Sequence, residues 1–225
     1  MAYFPVFVDI KDKKCLVIGG GKVAARKIGT LLSYGADVHV ISPQIRPEII
    51  DMISEYNGGP DAGRRDSGPV IRREMLSPDE LEREIRDSML VVAASSGRDT
   101  NHQAATICHR LGIPVNVVDD QSECSFFFPA VVKKGEISIG INTGGSSPIV
   151  SARIRQETEE NLPDYYADIA GQLGQLREGL KEKMPEEAVR RRFLKKVAAG
   201  AFAAERPLTP EEIADYICSC SQESS

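Results

Sequence analysis

Between Lys14 and Ser42 the apolar positions change period twice. Cys15-Leu16-Val17-Ile18 is a continuous apolar run, three glycines follow, and Val23 to Tyr34 has helical spacing up to a stop at Gly35. Val38-His39-Val40-Ile41 returns to a strand pattern, so the segment predicts strand, turn, helix, strand. Asn57 to Pro69 is polar and rich in Gly and Pro, as a surface loop is, and Val70 to Arg73 predicts a further strand. Ser77-Pro78-Asp79-Glu80 combines a capping box with proline at the first helical position and opens a helix to about Ile85. Met89 to Ala94 reads as a buried strand. Thr100-Asn101-His102-Gln103 reads as a second capping box, opening a helix that stops at Gly112, and Val115 to Val118 supplies the next strand. Strands alternating with helices at this spacing predict a doubly wound α/β domain with a parallel sheet.

Beyond Asp119 the rhythm breaks. Phe126 to Val132 and Glu136 to Ile141 flank Lys133-Lys134-Gly135, and Ile137, Ile139 and Ile141 alternate with Ser138 and Gly140, which predicts a β-hairpin with one apolar face. Such a hairpin is marginal alone and calls for another sheet or another subunit. The turn from Asn142 to Pro148 leads into a helix from about Ile149 to Asn161, capped by Ser147. The remainder is expected to be helical, with breaks near Leu162-Pro163, Met184-Pro185 and Arg206-Pro207, and with Thr209-Pro210-Glu211-Glu212 capping a last short helix.

Composition narrows the function classes. The 225 residues are 41% hydrophobic and 27% charged, ordinary for a globular chain, and Lys+Arg 28 against Asp+Glu 33 leaves a formal net charge of -5. That balance argues against nucleic acid as the main partner. No apolar run is long enough to span a bilayer and the first residues lack a secretory pattern, so a soluble cytoplasmic protein with no membrane partner is expected. The five cysteines, Cys15, Cys108, Cys124, Cys218 and Cys220, are scattered and suggest neither a disulfide framework nor a structural zinc site; Cys218-Ser219-Cys220 could chelate a soft metal, but beside the polar tail fraying is the plainer expectation.

Gly19-Gly20-Gly21-Lys22-Val23-Ala24 fits G-x-G-x-x-A between a strand and a helix, the setting of a dinucleotide-binding turn. Gly19 permits the tight turn, Gly21 lets the backbone approach a pyrophosphate, Ala24 allows close helix packing, and Lys22 and Val23 open the helix whose N-terminus favours phosphate. The acidic residue expected at the end of the second strand is replaced by Ser42-Pro43-Gln44, so these residues leave NAD against NADP open. Arg46 is near enough in sequence to serve a phosphate.

Ligands of open α/β sheets sit beyond the carboxyl ends of the strands, which singles out Ala94 to Gly97 and Asn116 to Asp120. Asp119 is the best acid/base candidate, because partial desolvation at the end of a buried strand would bring it toward working range; capping of the next turn by Asp119 or Asp120 is the alternative. His39, His102 and His109 form no triad with Ser or Cys. Thr143-Gly144-Gly145-Ser146-Ser147 precedes a helix, so N–H groups and hydroxyls are expected to converge on a carboxylate there, with Arg153 and Arg155 nearby.

With Gly19 to Gly21, Asn116-Val117-Val118-Asp119, Ser125-Phe126, Gly144-Gly145 and Ser147-Pro148 in this order, the chain resembles the precorrin-2 dehydrogenase and sirohydrochlorin ferrochelatase family of siroheme biosynthesis. Phe4 to Phe7, Val23 to Lys27 and Gly171-Gln172-Leu173 extend the resemblance over nearly the full length. It implies a Rossmann-like NAD-binding domain over 1–114, a dimerisation β segment over 115–148 and a helical domain over 149–225. It further implies a homodimer that oxidises precorrin-2 to sirohydrochlorin with NAD, and in some members the insertion of Fe²⁺. Asp119 matches the family's essential aspartate, and Thr143 stands where some members carry serine. Asn116, Thr143, Gly144, Gly145 and Ser146 are then the candidate substrate contacts, with Gly19, Gly21, Lys22, Val23, Ser42, Pro43 and Gln44 toward the cofactor and no resident metal. Two rival readings stay open: another NAD(P)-linked dehydrogenase, or a non-enzymatic dinucleotide- or tetrapyrrole-binding regulator.

Overall fold

The computed structural model describes residues 3–58 and 68–222, with side chains as far as Tyr216. Most of the Asn57 to Pro69 loop, and the side chains of Cys218 and Cys220, lie outside the described residues. The chain divides into two units, Val6–Phe128 and Pro129–Ser225 together with Met1–Pro5.

In the unit from Val6 to Phe128 five strands form one parallel sheet in the order β3-β2-β1-β4-β5. They are β1 (Lys14–Ile18), β2 (Asp37–Ile41), β3 (Val70–Arg72), β4 (Leu90–Ala93) and β5 (Val115–Val117). Side-chain alternation sends Cys15, Val17, Val38 and Val40 to one face, where α1 (Lys22–Ser33) and α2 (Pro47–Gly58) bury Ile28, Leu31, Ile49 and Ile53 against them. Leu16, Ile18, Val91 and Ala93 face the other way, onto Leu81 and Ile85 of α3 (Pro78–Arg86) and Ala104 and Cys108 of α4 (Arg98–Leu111). Burial on both faces is why the strands read as continuous apolar runs. The order reverses between β1 and β4, which sets the loops after those two strands on either side of the crevice where such sheets bind ligands.

Local chemistry accounts for most boundaries. Gly35 takes φ 77° just past the end of α1, and Ser77 and Glu80 form the expected reciprocal cap on α3. Three expectations are corrected. The helix α2 went unassigned in the sequence, although Ile49, Met52, Ile53 and Tyr56 carry its apolar stripe. The helix α4 starts at Arg98 behind Gly97, with no side-chain cap, so Thr100 to Gln103 lie inside it. The first domain runs to Phe128 rather than residue 114, because β5 pairs with β4 and Phe126 and Phe128 pack on the α1 core.

The other unit holds the antiparallel pair β6 (Ala130–Lys134) and β7 (Ile137–Ile141), with Gly135 at φ 53° in the turn. Phe126 to Phe128 are not part of the hairpin strand. Four helices follow: α5 (Pro148–Asn161), α6 (Tyr165–Lys183), α7 (Glu187–Ala204) and α8 (Pro210–Gln222). Ile169, Leu180, Phe193, Val197, Ala201 and Leu208 make their core. The hairpin belongs with these helices rather than forming a segment of its own over 115–148: Lys134 Nζ donates to the Leu162 carbonyl at 2.6 Å and pairs with Asp164 at 2.8 Å. No side chain of α5 is buried, and Ile149 is 82% exposed. Among the described residues no helix is long and apolar enough to cross a membrane.

Candidate functional site

The three glycines after β1 meet three different demands. Gly19 holds φ +127°, and a Cβ there would lie 2.2 Å from the Ala94 carbonyl oxygen, so the β1 and β4 ends are in backbone contact. At Gly20 a Cβ would come within 2.2 Å of the Gln44 carbonyl oxygen. At Gly21 it would meet nothing within 4 Å, so the open side of the loop is here. Gly21 caps α1 without a side-chain bond, and the helix begins with Ala25 N–H donating to the Gly21 carbonyl at 3.0 Å. The N–H groups of Lys22, Val23 and Ala24 therefore lie outside the helical ladder, with no acidic residue in the first turn. A bare, positively polarised helix end facing open space beside a glycine fits the pyrophosphate of a dinucleotide.

Beyond β2, the Ser42 hydroxyl donates to the Gln44 carbonyl at 2.8 Å, and Arg46 N–H donates to the Gly20 carbonyl at 3.1 Å. Pro43 and Gln44 are exposed on this turn. Arg46, considered for a phosphate, is held by Glu48.

At the β4 end, buried Asn101 receives Ser95 N–H and donates to the Ser95 carbonyl, both at 3.0 Å, and so locks the loop onto α4. Sequence reasoning missed this clamp, having read Asn101 as part of a cap. At the β5 end, Asp119 adopts φ 68°, a left-handed conformation that Asp tolerates better than most residues. Asp120 is the capping residue: its carboxylate accepts from Ser122 N–H at 3.0 Å and the Ser122 hydroxyl at 2.6 Å, which holds its pKa below the usual carboxylate value. The Asp119 carboxylate has no hydrogen-bond or ion-pair partner among the described residues. It is exposed in its unit, so the expected desolvation does not come from the β5 end.

Asn116, expected among the substrate contacts, is buried, donating to the Phe126 carbonyl at 3.1 Å and reaching Cys124 Sγ at 3.6 Å. Cys124 also receives Val117 N–H at 3.2 Å, so the strap from Asp120 to Phe128 is pinned to β5. Lys27 lies over the Phe128 ring, with Nζ 3.9 Å from its centroid. Burial first, then Arg26, pulls the Lys27 pKa down to about 8, while Cys124 acts the other way. From α4, His102 pairs with the Glu123 carboxylate and His109 Nε2 lies 3.1 Å from the Glu123 carbonyl oxygen. Glu123, aided by Asp99 and Asp120, raises the His102 pKa.

In the other unit, the Thr143 to Ser147 turn is more self-contained than expected. Gly144 N–H donates to Asn142 Oδ1 at 2.9 Å, Ser146 N–H to the Thr143 carbonyl at 3.1 Å, and the Thr143 hydroxyl to the Ser147 carbonyl at 3.0 Å. The expected convergence of open donors narrows, leaving the Thr143 and Gly145 N–H groups and the Ser146 hydroxyl without a partner among the described residues. Gly144 and Gly145 take φ 66° and 80°, the left-handed region that glycine adopts without strain. Ser147 caps α5 through Val150 N–H at 3.3 Å. Arg153 and Arg155 are taken up by Glu157 and Glu159 one turn along.

A family model described as putative NAD(P)-binding matches residues 6–130, the whole of the sheet-bearing unit. The chain belongs to this NAD(P)-binding family. The match agrees with the open Gly21 and the bare α1 end. Among curated relatives, siroheme synthase of Nitrosospira multiformis is 34% identical over 203 residues, 90% of this chain and 41% of that protein. Siroheme synthase of Neisseria meningitidis serogroup C is 35% identical over 91% of this chain and 39% of its own length. The chain thus spans about two fifths of these curated relatives. The solved structure of SirC, precorrin-2 dehydrogenase, superposes with a TM-score of 0.67 over 98% of this chain and 100% of that one, at 20% identity, and so shares the fold.

Proposed function

We propose that the chain is an NAD-dependent precorrin-2 dehydrogenase, oxidising precorrin-2 to sirohydrochlorin in siroheme synthesis. The observation that carries this is Asp119, an unpartnered carboxylate at the carboxyl edge of a sheet whose first turn is built for a dinucleotide. The siroheme synthase relatives and the shared fold support the tetrapyrrole substrate.

The reaction removes a hydride and a proton from the macrocycle. When bound, the nicotinamide supplies the hydride acceptor. Gly21 and the N–H groups of Lys22, Val23 and Ala24 hold the pyrophosphate, with Ser42, Pro43 and Gln44 bordering the same end of the sheet. Asp119 takes the proton, while the Ser122 cap engages Asp120 instead. In the C-terminal unit, the Gly145 N–H and Ser146 hydroxyl offer donors to a substrate carboxylate. Insertion of Fe²⁺ into sirohydrochlorin is the accompanying proposal, with Asp119 accepting a pyrrole proton. We also propose a homodimer, since both outer edges of the β6–β7 pair and the Ile149 face of α5 need cover. The unbridged Cys15, Cys108 and Cys124 support a reducing, cytoplasmic setting.

The test is anaerobic turnover of precorrin-2 with NAD⁺, following reduced cofactor, in the native chain and in Asp119→Asn, which keeps a residue suited to φ 68°. Loss of the base is expected to lower turnover by about a hundredfold or more with cofactor binding retained. Native-level turnover in the folded variant would remove Asp119 from the mechanism. Cofactor binding without turnover in the native chain would favour a regulator. A parallel Fe²⁺ insertion assay on sirohydrochlorin decides the second step.

A further inference from the structure

The strand β2 ends at Ile41 without the carboxylate that commonly receives a ribose. The loop after it is instead fixed against the glycine turn, through Arg46 N–H on the Gly20 carbonyl and through the Gln44 carbonyl and Ile45 Cα, which crowd Gly20. That docking brings the start of α2 beside the start of α1. Lys22, Val23, Ala25 and Arg26 of α1 and Glu48 and Met52 of α2 line a recess of about 440 Å³. Glu48 is the acidic residue on its wall. Its carboxylate grips the Arg46 guanidinium at two points, Nε to Oε1 at 3.0 Å and Nη2 to Oε2 at 3.1 Å.

We propose that the Arg46–Glu48 pair selects between the two nicotinamide dinucleotides, favouring the one with a free ribose 2′-hydroxyl over its 2′-phosphorylated form. The inference rests on the dinucleotide reading above. Lys22 and Arg26, on the same recess, attract the phosphates common to both ligands and do not discriminate. Glu48 does discriminate: a carboxylate accepts a hydrogen bond from a ribose hydroxyl and repels a 2′-phosphate. Arg46 would otherwise serve that phosphate, but its planar fork is engaged by Glu48, and a charge-assisted pair must break before the phosphate gains it. The missing carboxylate of β2 is thus replaced from the first turn of α2.

Isothermal titration of the full chain with NAD⁺ and with NADP⁺ tests this without any turnover. The native chain is expected to bind NAD⁺ about tenfold tighter, the worth of one charge-assisted hydrogen bond, and Glu48→Gln to bring the two within about threefold by weakening NAD⁺ and releasing Arg46. Arg46→Ala, which leaves Glu48 unopposed, is expected to weaken NADP⁺ further. Both side chains are about half exposed, so neither change threatens the fold, and matching thermal melts verify this. Equal or reversed preference in the native chain, an unchanged ratio in Glu48→Gln, or stronger NADP⁺ binding in Arg46→Ala overturns the selector. Failure of the native chain to bind either nucleotide instead overturns the dinucleotide reading.

Discussion

Gly19 and Gly21 differ in what a methyl group would meet. At 19 it would press on a backbone carbonyl 2.2 Å away, from a φ that side chains rarely adopt. Gly19→Ala is therefore expected to destabilise the sheet-bearing unit by about 3 kcal/mol, read from a urea midpoint. At 21 the added methyl meets no protein atom within 4 Å and φ is an ordinary −86°. Gly21→Ala should leave the midpoint within about 0.5 kcal/mol and weaken dinucleotide binding by about tenfold; unaltered binding would refute the role assigned to it. The sequence motif marks both positions but passes over Gly20, because its constraint is the Gln44 carbonyl, a contact made only after β2 has paired. Asp119 was likewise legible as a strand-end carboxylate. Its left-handed conformation was not, nor was the choice of Asp120 rather than Asp119 as the cap on Ser122.

The strap behind Asp119 is held by two histidines from one helix, and only one of them is an ion pair. Glu123 lifts the His102 pKa above its unfolded value, so the bond contributes most below about pH 6.5 and fades as pH rises through the higher folded value. Replacing His102 by Gln should thus lower thermal stability near pH 6 and leave it unchanged near pH 9, about two to three units above the unfolded value. An equal loss at both values would mean that packing, not charge, ties the strap down. Elements with a local signature, such as α3 with Ser77 and Glu80 or α5 with Ser147, could be read from the chain directly. The helix α2 has Pro47 at its start but Arg46 before it where a capping side chain would stand, so only its apolar spacing announces it. The start of α4 was obscured by a Thr100–Gln103 pattern that imitates a cap, while the first turn is anchored by Asn101 on Ser95, a contact across the loop.

Two units with separate cores assign separate work along the chain: the sheet-bearing unit matches the NAD(P)-binding family, and the hairpin with α5 presents unpaired edges and exposed Ile149, Val150 and Ile154. If those surfaces meet in a second copy, Ile149→Asp with Ile154→Asp should shift the mass in light scattering from dimer to monomer while leaving dinucleotide binding intact; a native monomer at working concentration would refute the dimer. The alternation of strands and helices already placed Val115 to Val118 in the parallel sheet, whereas the boundary at 114 came from the family resemblance, and the strap from Asp120 to Phe128 that extends the unit carries no periodic signature of its own. Asp119 also bears on the history open to such a chain. Beside Asp, the residues that take its left-handed turn most readily are Asn and Gly, and both lie a single nucleotide change from an aspartate codon. On the role proposed for Asp119, drift at that codon would abolish the base without disturbing the backbone, and a chain that binds a dinucleotide without the reaction would be a near neighbour of this one.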